Sequence, residues 1–314
     1  MARYVKVASV SFRMPSVLEK PEDQDVFGFM LHTIRKHIDE VLPDKPDLIV
    51  LPEMCDQPSN MSAEAVYTYY SQRGDMMVEA LSQISCENQC YIAAGIVRCA
   101  PDGKHYNSCV MIDRSGNVMG YYNKNYITPE EKPFYDIVSG ADTAVFNCDF
   151  GTVGAVLCFD LNFEELRQKY RDAKCDMVVF PSRFDGGLLC NIFAHETGAY
   201  FVKCFSGGTG RSAIIDPLGY PRVTSTNYYP CIVSQINLDY KICHLDENKA
   251  KFAAAKRKYG DKVKIHDNGF IGTVILSSES PDFTTQDIVD EFGIELREEY
   301  FNRARAAREQ DIQG

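Results

Sequence analysis

The chain predicts an α+β protein built on mixed sheets whose outer faces are covered by helices. Three observations carry this. Residues 25–41 place Val26, Phe29, Met30, Ile34, Ile38 and Val41 at helical spacing. The runs DLIVLPEM (47–54) and DMVVFPSRFDGG (176–187) are continuously apolar, then close on proline and polar residues, as parallel strands buried on both faces do. The segment YNSCVMIDRSGNVMGYYNK crosses a turn from Asp113 to Asn117 and needs an antiparallel pair.

The elements follow in order. VKVASVSF (5–12) alternates like a half-buried strand and gives way to the turn-like MPSVLEKPED. The helix from Asp25, a plausible cap, ends at LPDKP. The next strand ends at Pro52 and Glu53, which puts a carboxylate at a carboxyl strand end, where α/β folds place their chemistry. Residues 64–90 form a helix that Gly74 interrupts. Two further strands follow, the second reaching Lys124, and prolines 129 and 133 with Gly140 shape a long loop after it.

GTVGAVLCFDLNFEEL (151–166) is the centre of the chemistry. Its apolar run reads as a buried strand, Asn162 as the cap of a helix with Glu164 and Glu165 in the first turn, and Cys158 as the residue at the junction. A thiol there meets a helix N-terminus and backbone N–H groups, which favour a thiolate and can hold an oxyanion. Beyond it, FAHETGAYFVKCFSG (193–207) reads as helix running into strand. GRSAIIDPLGYPR (210–222) and CIVSQINLD (231–239) read as strands. Past Tyr240 only charged, peripheral helices are expected, the last broken at Gly293. The chain is thus divided into a main domain over 1–280 and a helical tail over 281–314. The apolar residues Ile288, Phe292, Leu296 and Phe301 allow that tail to pack on a partner subunit or on its own domain.

Composition narrows the classes. A formal charge of -11 is wrong for a general nucleic-acid binder, and 45% hydrophobic with 25% charged residues is ordinary for a soluble globular protein. The start MARYVKVASVSF lacks the form of a signal peptide and no window has the length of a membrane span, so a cytoplasmic location is expected. Twelve scattered cysteines point to reduced thiols, and Cys86 with Cys90 lacks the second pair that a zinc finger needs.

Glu53, Lys124 and Cys158 each fall at or near a strand end and together supply a base, a cation and a nucleophile. A carboxylate can take the thiol proton and return it to a leaving amine, while an ammonium stabilises thiolate and oxyanion. The alternative base is an imidazole, from His105, His195 or His244. Thiol, carboxylate and ammonium complete this chemistry, so no metal or organic cofactor is expected.

Here the sequence resembles the carbon–nitrogen hydrolase, or nitrilase, superfamily. DLIVLPEM around Glu53, YYNKNYITPEE around Lys124 and GAVLCFDLNFEEL around Cys158 match in order, supported by AHETGAYFV and GRSAIIDPLG, over roughly residues 4 to 240. The resemblance implies a four-layer α-β-β-α sandwich with a C-terminal helical extension, a Glu–Lys–Cys triad, and an accessory glutamate at Glu131, with Glu130 as the alternative. It also implies that Phe159 lends its backbone N–H to the oxyanion, that Glu196 stands behind the site, and that the chain forms homodimers. Tyr126, His195 and above all Arg183 are the candidates for substrate contacts, Arg183 as a partner for a carboxylate.

The chain departs from the family pattern at Phe193 and Thr197, where arginine and asparagine are usual, and at Ser9 or Ser11, where a glutamine is common. Phe159 and Asp160 stand where true nitrilases carry Trp-Glu. An amide or N-carbamoyl substrate is therefore expected over a nitrile. The rival classes are a non-catalytic scaffold and a sensor in which Cys158 oxidises reversibly.

Overall fold

The computed structural model describes residues 1–17, 25–207 and 210–313, so part of the turn expected after the first strand lies outside the described residues. In chain order the elements begin with β1 (Tyr4–Ser9), α1 (Val26–Asp39), β2 (Leu48–Val50), α2 (Ala63–Arg73), α3 (Met76–Asn88), β3 (Tyr91–Cys99), β4 (His105–Ile112), β5 (Val118–Asn123) and α4 (Glu131–Tyr135). A second run comprises β6 (Val145–Cys148), β7 (Gly151–Ala155), α5 (Glu164–Ala173), β8 (Met177–Ser182), α6 (Leu188–Thr197), β9 (Tyr200–Phe205), β10 (Ala213–Ile215), β11 (Pro221–Thr224) and β12 (Ile232–Asn237). Last come β13 (Tyr240–His244), α7 (Lys249–Tyr259), β14 (Val263–His266), β15 (Thr273–Ser278), α8 (Thr285–Phe292) and α9 (Arg297–Gln313). No helix among the described residues is long and apolar enough to cross a membrane.

The chain divides into two compact units, Lys6–Gln235 and Met1–Val5 with Ile236–Gly314. In the larger unit two six-stranded sheets, ordered β12-β1-β2-β3-β4-β5 and β11-β10-β9-β8-β7-β6, follow the same plan. Each has three parallel strands in the middle, β1 to β3 and β7 to β9, continued by antiparallel neighbours. The inner faces meet directly, since Ser9 Oγ donates to the Lys203 carbonyl over 3.0 Å and Ser11 Oγ to that of Phe205. The serines at the family's glutamine position thus tie one sheet to the other.

Helices close the outer faces. Met30, Ile34 and Ile38 of α1 pack with Val66, Met77 and Leu81 against Ile49 and Ile92 of the first sheet. Tyr170 of α5 and Phe193 of α6 pack against Val178, Phe180 and Phe201 of the second. Phe193, standing where arginine is usual, is fully buried in that core. These are the four layers the resemblance implied.

The smaller unit departs from the sequence expectation. Beyond Tyr240 the chain builds an antiparallel sheet, β13-β15-β14, and does not consist of peripheral helices alone. Thr273–Ser278 is buried throughout, and Phe252 and Ala255 of the charged helix α7 join Val263, Leu276 and Ile288 in one core. Charged residues on the exposed side of α7 masked that narrow apolar stripe. Ile288 and Val289 of α8 are buried in this core, while α9 is exposed along its length except at the buried Arg297 and the half-buried Tyr300. All twelve cysteines are unpaired.

Candidate active site

Four chain segments deliver the predicted set to one place. Glu53 comes three residues after β2 and is 2% exposed. Its approach depends on Gly95 of β3, because a Cβ there would fall 2.5 Å from the Glu53 Cα and 2.6 Å from the Pro52 carbonyl oxygen. Lys124 follows β5 directly, its N–H bonded to the Asn107 carbonyl over 2.8 Å. Glu131 opens α4 and turns inward, whereas Glu130 is exposed, which separates the two candidates for the accessory glutamate. Cys158 follows β7 after Val156 and Leu157.

The cysteine lies between β7 and α5, as the sequence reading places it, but the helix it faces is separated from it by a short turn. It opens a 3₁₀ turn, Cys158–Asn162, and α5 starts at Glu164 with Phe163 at the N-cap position and no side chain capping it; Asn162, the expected cap, instead donates its amide back to the Phe159 carbonyl over 2.9 Å. Cys158 has φ +45°, and Met54, beside Glu53, has φ +47°. A side chain in this left-handed region costs about 1–3 kcal/mol and persists where the surroundings hold it, so strain is stored on both sides of the thiol–carboxylate contact.

Charge is paired inside the cluster. Lys124 Nζ lies 3.0 Å from Glu53 Oε1 and 2.8 Å from Glu131 Oε2. Asn107 Nδ2 bridges the carboxylates, donating over 2.8 Å to each. The Arg183 N–H donates to Glu53 Oε2 over 2.9 Å, and the Thr128 N–H to Glu131 Oε2 over 2.6 Å. The thiol is next to Glu53 and Ser182, and both act on its ionisation. These bonds fix both faces of Glu53 and leave its proton exchange directed at sulfur.

Protonation follows from those contacts. Burial opposes charge on Glu53 most strongly, yet the Lys124 ammonium, the Cys158 thiol, Arg183 and Asn107 outweigh it and hold the carboxyl below its usual range. Burial pushes the Cys158 thiol up to about 12, and the Glu53 charge adds to this against the pull of Lys124. Burial and the Glu53 charge thus favour the proton on sulfur beside an ionised base, whereas the sequence reading has the thiolate favoured. Burial works against charge on Lys124, but the Glu53 and Glu131 carboxylates outweigh it and keep it an ammonium.

The remaining candidates fall in different places. Tyr126 stacks on Phe163 at 3.6 Å between ring centroids, and Phe159 meets Phe163 edge to face, forming an aromatic group beside the cysteine turn. Arg183 lines a cavity of about 680 Å³ with Phe184, Lys203, Phe205 and Arg211, and its Nε is buried without a hydrogen-bond partner. His195 instead packs its Cβ against Gly219, in the turn between β10 and β11. Glu196 binds Arg167 over 3.0 Å and its carbonyl accepts from Arg171, so it fastens α6 to α5. Neither partner of the thiol is an imidazole: His105 meets Tyr67 at the start of β4, and His244 stacks on Tyr300 in the smaller unit.

Sequence reasoning missed Asn107, Gly95, the influence of Ser182 on the thiol, and Asp160. Asp160 is fully buried and holds the turn that carries the thiol: its carboxylate accepts from Tyr122 Oη over 2.7 Å, the Tyr126 N–H over 2.8 Å and the Leu157 N–H over 3.2 Å. A polar residue on the buried face of a strand was the available signal for Asn107.

The family model described as Carbon-nitrogen hydrolase matches residues 7–227, and the chain belongs to that family. Among its relatives, pantetheinase of Bos taurus is 27% identical over 237 residues, covering 71% of this chain and 42% of that one. Omega-amidase NIT2-B of Xenopus laevis is 26% identical over 157 residues, covering 48% of this chain and 56% of its own. The chain thus spans about half the length of these two curated relatives. Among solved structures, a variant of the amidase from Nesterenkonia sp. AN1, with the acetamide moiety of fluoroacetamide added covalently at its active-site cysteine, has a TM-score of 0.62 at 16% identity. The match covers 81% of this chain and 96% of the amidase, a likeness of fold.

Proposed function

We propose that the chain hydrolyses a non-peptide C–N bond of a small amide or N-carbamoyl compound through a thioester on Cys158. The observation that carries this reading is that one buried carboxylate, Glu53, interacts at once with the Cys158 thiol and with the Lys124 ammonium 3.0 Å away. A carboxylate of depressed pKa stays ionised at rest, and the raised thiol keeps its proton until bonding of sulfur to carbon makes the S–H acidic enough to pass it to Glu53.

The thiol sulfur attacks the carbonyl carbon as its proton passes to Glu53. Lys124, held by Glu131, and the Phe159 N–H receive the oxyanion. Glu53 returns the proton to nitrogen, the C–N bond breaks, and ammonia or an amine leaves with the acyl group on sulfur. Water then attacks the thioester, losing a proton to Glu53, and collapse expels the sulfur, which regains that proton. The amidase that shares this fold carries the acetamide moiety of fluoroacetamide on its cysteine, which supports a nucleophilic thiol at this place in the fold.

An acidic substrate would suit Arg183, which lines the cavity of about 680 Å³ with Arg211, while Lys203 there is paired with Asp185 over 2.8 Å. The test incubates the protein with amides, N-carbamoyl amino acids and nitriles, reading acyl adducts on Cys158 by intact mass and released ammonia by a coupled assay. An adduct from an amide, absent in Cys158→Ala, is expected. Turnover of nitriles alone would replace the amide reading, and silence across the panel would leave a scaffold or thiol sensor.

A further inference from the structure

His37, Glu40 and Cys231 bring one imidazole nitrogen, one carboxylate oxygen and one sulfur within 4.8 Å of one another, and the reaction above uses none of them. His37 and Glu40 stand at i and i+3 at the end of α1, where helix geometry puts both on one side, and His37 Nδ1 lies 3.0 Å from Glu40 Oε1. Cys231 arrives from the far end of the larger unit, immediately before β12, with Sγ 3.6 Å from the Ser11 carbonyl oxygen. The imidazole plane is set by Phe12, whose ring stacks on His37 at 5.0 Å and 3°. Glu40 and Cys231 also border a cavity of about 390 Å³ walled by Lys6, Asp44, Tyr228 and Tyr229.

A helical His–Glu pair with a thiol in reach needs no further purpose by itself. Here, though, three donors of different hardness converge from segments far apart in the chain, with an oriented ring on one side and open space on another. We propose that His37, Glu40 and Cys231 bind a thiophilic divalent cation, zinc foremost, with its fourth position open to the adjoining cavity. Sulfur and nitrogen donors select against magnesium and calcium, and one thiolate with one carboxylate neutralises a divalent charge. In a tetrahedral zinc site, with bonds of about 2.0–2.3 Å, neighbouring donors lie roughly 3.3–3.7 Å apart, a small rotation from the present spacing. Burial and the Glu40 carboxylate hold the Cys231 thiol up at about 12, and a cation between them would reverse that penalty by taking the thiolate as ligand. The three open-sided ligands resemble catalytic more than structural zinc sites in their count.

Cobalt(II) alone is the probe, added to the full-length Cys158→Ala chain so that the reactive thiol of the hydrolytic site cannot contribute. One equivalent is expected to bind, with a thiolate-to-cobalt charge-transfer band and tetrahedral visible bands, both bleached by zinc. Adding Cys231→Ser should abolish the charge-transfer band. His37→Ala or the exposed-site change Glu40→Gln should weaken binding by about tenfold or more, no less than loss of an outer partner costs. Absence of the band in the parent overturns the proposal whatever the variants do; so does a band that survives Cys231→Ser, or an affinity indifferent to both Glu40→Gln and His37→Ala.

Discussion

Lys124 Nζ lies 2.8 Å from Glu131 Oε2 while its other carboxylate contact, Glu53, is the group beside the thiol. One ammonium is therefore held between an anchoring and a reacting carboxylate. Neutralising the anchor frees Lys124 to move onto Glu53 and away from the oxyanion position. We predict that Glu131→Gln folds normally and lowers kcat about 100-fold with KM changed far less, the cost of misplacing one electrostatic group. Steady-state kinetics on whichever amide is turned over decides this, and an equal loss in 1/KM would refute it.

Gly95 makes a second prediction, because a methyl group there would collide with backbone and not with a movable side chain tip. Gly95→Ala should displace Glu53 and slow alkylation of Cys158 by iodoacetamide about 100-fold, as a shift near 1 Å does to a catalytic pair. Circular dichroism should remain that of the parent. Alkylation at the parental rate would mean that Glu53 does not depend on this approach.

The difference between what was legible and what was not follows the range of the interactions. Helical and strand periods report burial of one residue at a time, so α1, the interruption at Gly74 and the central strands were readable, as were Glu53, Lys124 and Cys158 at strand ends. The thin apolar stripe of α7 and the three-stranded sheet around it were hidden under charge. So was the buried pair of Asp56 and Arg73, 2.9 Å apart, since neither residue's local sequence announces a partner. The state of the Cys158 thiol was misjudged for a related reason: helix ends and cations can be read along a chain, but desolvation is a property of the packed site.

The strain at Cys158 is open to direct measurement. Cys158→Ala and Cys158→Gly both remove the nucleophile and should both be inactive. With φ at +45°, however, glycine escapes the penalty that a Cβ incurs. Cys158→Gly should therefore be more stable than Cys158→Ala by about 1 kcal/mol in urea denaturation, the reverse of the ordinary order. Alanine as the more stable of the two would show that the turn relaxes once sulfur is gone.

Asp160 couples the same turn to pH. Burial raises its carboxyl from 3.8 to about 6, although Tyr122 and the Tyr126 and Leu157 N–H groups pull it back down. Below about 4 the folded and unfolded states both carry the proton, and well above 6 neither does. Between these values the folded state keeps a proton that the unfolded chain releases, so this residue's contribution to stability falls as pH rises through the window. At about 1.4 kcal/mol per pH step the fall amounts to roughly 3 kcal/mol. Asp160→Asn cannot titrate there, and its amide loses one of the acceptor atoms, so it should be the less stable protein at pH 4. The gap between wild type and Asp160→Asn, followed by urea denaturation at pH 4, 5, 6 and 7, should then shift in favour of the asparagine protein by about 3 kcal/mol. Parallel stability curves across that range would mean that Asp160 stays ionised throughout, and that the bonds holding the Cys158 turn outweigh the cost of burying the charge.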